Sequence, residues 1–123
     1  MRTWVLRIRA ADRPIFDALV DGRKTIETRA GATGARSYTR AQPGDTLLFL
    51  CGPARLRRIV TRVAVYPSPA ALAADEDVRR VLPWITSAAD LAALYESFPG
   101  YPERIARHGL VAMELAPPLE DTT

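Results

Sequence analysis

The chain has 123 residues, 48% hydrophobic and 25% charged, which is the composition of one globular domain with apolar material for a single core. Its net charge of +3 conceals an asymmetry: residues 1–62 hold 13 basic and 5 acidic side chains (+8), and residues 63–123 hold 4 and 9 (−5). One cysteine (Cys51) and one histidine (His108) exclude an internal disulfide and a structural zinc cluster, so neither metal nor cofactor is expected.

At the start, TWVLRIRA (3–10) alternates Trp4, Leu6 and Ile8 against Val5, Arg7 and Arg9, the pattern of a strand with one buried face. Asp12 is placed to cap a helix. Pro14 suits its first turn, Ile15, Phe16, Leu19 and Val20 give it one apolar face, and Gly22 supplies a left-handed stop. KTIETRA then reads as a short strand with Thr25, Glu27 and Arg29 on one face and Ile26 on the other. Residues 31–45 lack apolar periodicity and form a long loop, with Tyr38 as an anchor or a ligand platform.

Pro43, Gly44 and Asp45 turn the chain into TLLFLC, a buried strand. CGPARL connects it to an antiparallel strand at 57–66. A helical region follows from Ser68 to Leu82, broken near Asp75, Glu76 and Asp77 and ended by Pro83. Ser87 with Asp90 resembles a capping box ahead of the stripe Leu91, Leu94, Tyr95 and Phe98. A short helix at 102–108 and a last strand, LVAMEL (110–115), complete the domain at 1–116. Residues 117–123 read as a loose tail. Strands early, helices late and a closing strand predict an α+β fold: a small mixed sheet curled towards a barrel with helices packed outside. The longest apolar runs are far short of the ~20 residues that span a bilayer, and no signal-peptide stretch precedes the first strand, so the expected location is cytoplasmic.

Sixteen of the 17 basic residues are arginine, and Lys24 is the only lysine. An ammonium loses its proton on burial far more readily than a guanidinium does, so a single lysine among arginines marks a candidate reactive position. Beside it stand Glu27 and Arg29. Lysine, carboxylate and arginine converging on a cleft can contact phosphate, sugar hydroxyls and base edges together.

This segment, GRKTIETR (22–29), closely resembles the hallmark G-x-K-x-x-E-x-R of the ASCH family, within the PUA-like superfamily, with Gly22, Lys24, Glu27 and Arg29 at the matching positions. The PGD turn and the HGLVAMEL ending are softer points of likeness. The resemblance implies a PUA-like mixed β-barrel with a cleft beside the first helix, and RNA binding, RNA processing or modified-nucleoside chemistry. One branch of the family hydrolyses N4-acetylcytidine with a lysine, a threonine three residues later and a glutamate downstream; here Glu27 stands at the threonine position, and Glu76, the next glutamate along the chain, is the candidate for the downstream glutamate.

The leading expectation is an RNA- or nucleotide-binding domain in which Lys24, Glu27 and Arg29 line the pocket, with Thr25, Thr28, Ser37 and Tyr38 as neighbours. The alternative is a hydrolase, a ribonuclease or an N4-acetylcytidine amidohydrolase-like enzyme, in which Lys24 and Glu27 are the catalytic pair. Convergence requires the strand to begin after Lys24, because a regular strand would set Lys24 and Glu27 on opposite faces. Among the aromatics, Tyr38 and Tyr101 lie near turns and are the better stacking candidates, whereas Tyr95 belongs to the apolar helical stripe.

Overall fold

The computed structural model describes residues 1–118. The initial alternation forms β1 (Thr3–Arg7), with Trp4 and Leu6 buried and their neighbours exposed. It stops short of residue 10 because the chain bends into a 3₁₀ turn at Ala10–Asp12. Helix α1 (Arg13–Asp21) follows, burying Phe16, Ala18 and Leu19 but leaving Val20, expected on the same apolar face, exposed. Asp12 stands at its N-cap position without capping it; the carboxylate is turned to Arg9 at 2.9 Å. Gly22, at φ 85°, ends the helix in the left-handed region that a side chain disfavours.

Strand β2 (Ile26–Ala30) is followed by the long loop, whose one regular element is a 3₁₀ turn at Tyr38–Arg40. β3 (Thr46–Cys51) and β4 (Ala54–Tyr66) form the expected hairpin. α2 (Pro69–Asp75) is capped by Ser68 and gives way to a 3₁₀ turn at Val78–Arg80, as the acidic break predicts. α3 (Ala88–Glu96) is capped by Ser87, whose hydroxyl accepts from the Asp90 N–H at 3.1 Å. α4 (Tyr101–His108) leads through Gly109 into β5 (Leu110–Leu115). At Gly109, with φ 88°, a β-carbon would also fall 2.6 Å from Val65 Cγ1. The last strand can therefore enter only through a glycine.

The five strands form one sheet in the order β1-β3-β4-β5-β2. β1 runs parallel to β3, and every other pairing is antiparallel. The long β4 is shared: Ala54–Ile59 pair with β3 and Val60–Tyr66 with β5, with an irregularity between Val60 and Arg62. A bulge of this kind bends the strand and raises its twist, so the sheet curls into a half-barrel. β5 is buried on both faces, which is why LVAMEL is almost unbroken in apolar character. Val111, Met113 and Leu115 join Trp4, Leu6, Phe16 and Phe49 in the barrel core. Leu110 and Ala112 join Ile26, Leu72, Leu91 and Ile105 in a second core beneath α2–α4.

The fold is thus a mixed α+β arrangement of a curled sheet with four helices packed on it. Two polar devices hold its corners, a buried carboxylate and a partly exposed guanidinium. Asp45, from the PGD turn, accepts from Trp4 Nε1 and the backbone N–H groups of Arg2 and Gln42, each at 3.0 Å. Arg58 reaches from β4 to the carbonyls of Leu19 and Val20 at the end of α1. Among the described residues, no helix is long and apolar enough to cross a membrane. Residues 119–123 of the expected tail lie outside the described residues.

Candidate functional site

Between Gly22 and Thr25 the backbone N–H groups bond away from the sheet, Lys24 N–H to Ala18 O at 3.0 Å and Thr25 N–H to Arg80 O at 2.9 Å, and the first contact with β5 is Leu115 N–H to Thr25 O at 2.9 Å. β2 therefore begins at Ile26, after Lys24, and strand alternation does not govern the lysine. Its side chain folds back onto the strand. Nζ lies 2.7 Å from Ile26 O, 2.7 Å from Val81 O and 3.4 Å from Glu27 Oε1. All three neighbours only accept, so they require three N–H donors, and the group that fits is the ammonium.

Glu27 is held from three sides. Its Oε1 accepts from the Thr28 N–H at 2.9 Å, and its Oε2 from Arg29 Nη2 at 3.3 Å. Burial alone would raise its pKa, but the adjacent Lys24 and Arg29 charges and the Thr28 N–H outweigh that and hold the carboxyl below its ordinary value. Burial depresses Lys24, with Glu27 opposing the shift. Arg29 remains cationic because Glu27 outweighs its desolvation, and its guanidinium sits 5.8 Å from the Tyr38 ring centroid.

β2 is an edge strand, and the backbone groups that it turns away from β5 are met by side chains. Lys24 covers Ile26 O, Glu27 covers Thr28 N–H and Arg104 covers Ala30 O at 3.1 Å. These contacts stop another strand from adding at that edge. They also charge it. The other edge of the sheet ends nearby in Arg7, and a cleft of about 390 Å³ occupies the place where the two edges approach without pairing.

One wall of the cleft is polar, formed by Lys24, Glu27, Thr28 and Arg29 with Arg7 and Arg9 at the β1 end. The opposite wall is apolar and aromatic, formed by Leu82, Leu94, Tyr95, Phe98 and Tyr101 from the helical layer. The Tyr95 hydroxyl crosses to Thr28 Oγ1 at 2.5 Å, and burial raises its phenol pKa above the ordinary value. The Tyr95 and Tyr101 rings are nearly parallel, with centroids 6.2 Å apart. A volume of this size suits a small planar ligand, with a few fixed polar groups to orient it.

The structure thus brings Lys24, Glu27, Thr28 and Arg29 to one cleft, together with Tyr101. It places Thr25, Ser37 and Tyr38 elsewhere. Thr25 Oγ1 accepts from Arg80 Nε at 2.8 Å, because its position before the strand turns it towards the 3₁₀ turn. Ser37 is consumed by the loop: its Oγ accepts from the Ala32 and Thr39 N–H groups. Tyr38 packs against Trp4, with ring centroids 5.2 Å apart, and stands behind Arg29 rather than in the cleft. Glu76, the downstream carboxylate, is paired with Arg62 at 2.7 Å and lines a different, shallow depression. Tyr95 is both core and cleft wall. Among the described residues no group of three or more His, Cys, Asp or Glu side chains is placed to hold a metal ion.

Arg7, Arg9 and Phe98 are cleft residues that their sequence context did not single out. The basic excess of the first half was the one signal that pointed towards the arginines.

No family model matches the chain, and no curated protein matches it. Its fold is similar to that of two solved proteins. The crystal structure of hypothetical protein PH0355 superposes with a TM-score of 0.75 at 25% identity, over 94% of this chain and 98% of that one. The solution NMR structure of protein PF0455 from Pyrococcus furiosus gives a TM-score of 0.70 at 26% identity, over 96% and 99% respectively.

Proposed function

We propose that this chain is an ASCH-like member of the PUA-like superfamily that binds RNA or a nucleotide in the cleft between β2 and α3–α4. The observation that carries this reading is Arg29. Its side chain is only 22% exposed, yet its one hydrogen bond among the described residues is the 3.3 Å contact to Glu27. A guanidinium has five N–H donors, so most of them remain available in a cleft that also presents Arg7 and the Arg9–Asp12 pair. That arrangement suits a phosphate. The aromatic wall suits a base, and the remaining acceptor capacity of Glu27 suits an amino group on it.

The hydrolytic reading has two observations in its favour, the 3.4 Å approach of Lys24 to Glu27 inside a cleft and the downward shift that burial imposes on Lys24. A general base or nucleophile must surrender a proton, however, and here two carbonyls and a carboxylate all favour the protonated lysine. Binding is therefore the reading that the geometry supports better. The test is a titration with cytidine monophosphate and with a single-stranded RNA, alongside incubation with N4-acetylcytidine and with RNA. Binding that is weakened in Arg29→Ala, without turnover, is the expected result. Product formation that is lost in Lys24→Ala would replace binding with hydrolysis.

A further inference from the structure

The cleft is not the only place where arginines gather. In the β1-β3-β4 part of the sheet, the inward row of Trp4, Leu6, Leu47 and Phe49 faces the core, and the alternate residues face out. Register places Arg7 and Arg55 on either side of Leu50, and Val5 and Arg57 on either side of Leu48. Two strand spacings separate Arg7 from Arg55 by about 10 Å, and one strand repeat separates Arg55 from Arg57 by about 7 Å. All three arginines are exposed, and none has a carboxylate within ion-pair distance among the described residues.

The lack of acidic neighbours follows from where the carboxylates are used. Asp12, Asp17 and Asp21 pair with Arg9, Arg13 and Arg23, Glu27 serves the cleft and Asp45 ties the PGD corner. Three of the arginines that supply the charge excess of residues 1–62, Arg7, Arg55 and Arg57, thus share one sheet face. Val5 and Ile59 are each about half exposed on the same face, leaving apolar surface between the guanidinium groups. Arg7 belongs to both regions, since it also lines the cleft mouth.

We propose that this outer face is a second contact surface for a single-stranded RNA. A base of that RNA occupies the cleft, and its phosphates run past Arg7 to Arg55 and Arg57. The inference rests on the nucleotide-binding reading of the cleft for its direction, and on charge complementarity for its occupant. A single strand fits both requirements: it can give an unstacked base to the cleft and lay a flexible anionic backbone over a curved basic face. Arginine suits this role because its planar fork engages phosphate oxygens in pairs and stays charged beside apolar surface.

The experiment compares wild type with the double variant Arg55→Gln, Arg57→Gln, using two probes: cytidine monophosphate and a fluorescent 12-nucleotide single-stranded RNA. Both substituted side chains are exposed, and thermal melting checks that the fold is retained. The oligonucleotide is expected to bind the variant about tenfold more weakly at low salt, and the slope of log K against log salt should fall by about 1.4, as loss of two phosphate contacts implies. Mononucleotide affinity should not change. An unaltered oligonucleotide affinity and salt slope would overturn the proposal, as would wild-type protein that binds vesicles of anionic lipid but not the RNA. The two readings fail separately: Arg29→Ala without effect on the mononucleotide removes the cleft reading, while a reduced salt slope in the double variant still supports the sheet face.

Discussion

Two clusters of charge flank the same sheet and have opposite characters. Lys24, Glu27 and Arg29 meet at the edge strand β2; Arg62, Arg80, Glu76 and Glu114 meet where β4, β5 and the helical layer join. In the second cluster Arg62 bridges Glu76 and Glu114 at 2.7 Å each, and Arg80 takes the other oxygen of Glu114 at 2.9 Å. The Tyr66 hydroxyl completes it with bonds to Asp75 and Glu76, and burial followed by these carboxylates pushes its phenol up to about 12. Each cation there answers a carboxylate. In the first cluster two cations share one carboxylate, a net positive charge remains, and a cleft with an aromatic wall opens beside it. Residue type and distance do not distinguish a structural ion network from a binding site. Surplus charge facing an open volume is the feature on which the proposed binding site rests.

Substitution at Lys24 should have the largest effect. Lys24→Ala leaves the Glu27 carboxylate buried with Arg29 alone and two carbonyls without a donor; the expected loss is about 3–5 kcal/mol in urea unfolding. A loss below about 1 kcal/mol would mean that the pair is solvated and that the comparison is wrong.

Arg62→Ala is expected to cost less, about 1–2 kcal/mol, because Arg62 is 42% exposed and water replaces much of what is removed. Its nucleotide affinity should equal that of wild type. Weakened binding in this variant would move the functional site.

Acid should act on both clusters, since Arg80 and Arg62 also hold the Glu114 carboxyl low, and in the first cluster it acts through Glu27. Because the Glu27 carboxyl is held below its ordinary value, the stability that it contributes is complete above the unfolded-state value and is lost as pH falls through the lower folded-state value. Stability of Glu27→Gln measured from pH 6 to pH 2 should therefore decline less than that of wild type. Equal slopes would show that Glu27 is not ionised in the fold. The smallest effect belongs to Tyr95→Phe, which removes one hydroxyl from its bond to Thr28 while keeping the ring, for about 1 kcal/mol.

Much of this architecture could be read from local pattern. The alternation in β1, the stripe of α1 ended by Gly22, the Ser87 cap and the apolar run of β5 each settle their own element through neighbouring residues. The cleft was legible on one side only. GRKTIETR supplies four of its polar residues within one turn and strand, and the lone lysine drew notice to Lys24 apart from any family likeness. The far wall comes from residues 82–101, brought opposite β2 by tertiary packing that has no local signature.

Tyr95 shows how one position hides a second role. Its ring obeys the apolar stripe, and its hydroxyl emerges at Thr28, 67 residues away in sequence. Ser37 and Tyr38 show the reverse: polar and aromatic residues in a long loop invite a ligand reading, but the loop needs them for its own backbone bonds and packing. Arg7 and Arg55 are ordinary strand arginines until register sets them beside one another with no carboxylate near.

The most direct test of the central claim is the affinity of cytidine monophosphate for Arg29→Ala and Arg62→Ala, measured side by side by calorimetry. Loss of a charge-assisted phosphate contact predicts binding about 10- to 100-fold weaker in Arg29→Ala and unchanged in Arg62→Ala. Equal affinity in the two variants, with both folded, would contradict the assignment of the β2 cluster as the binding site.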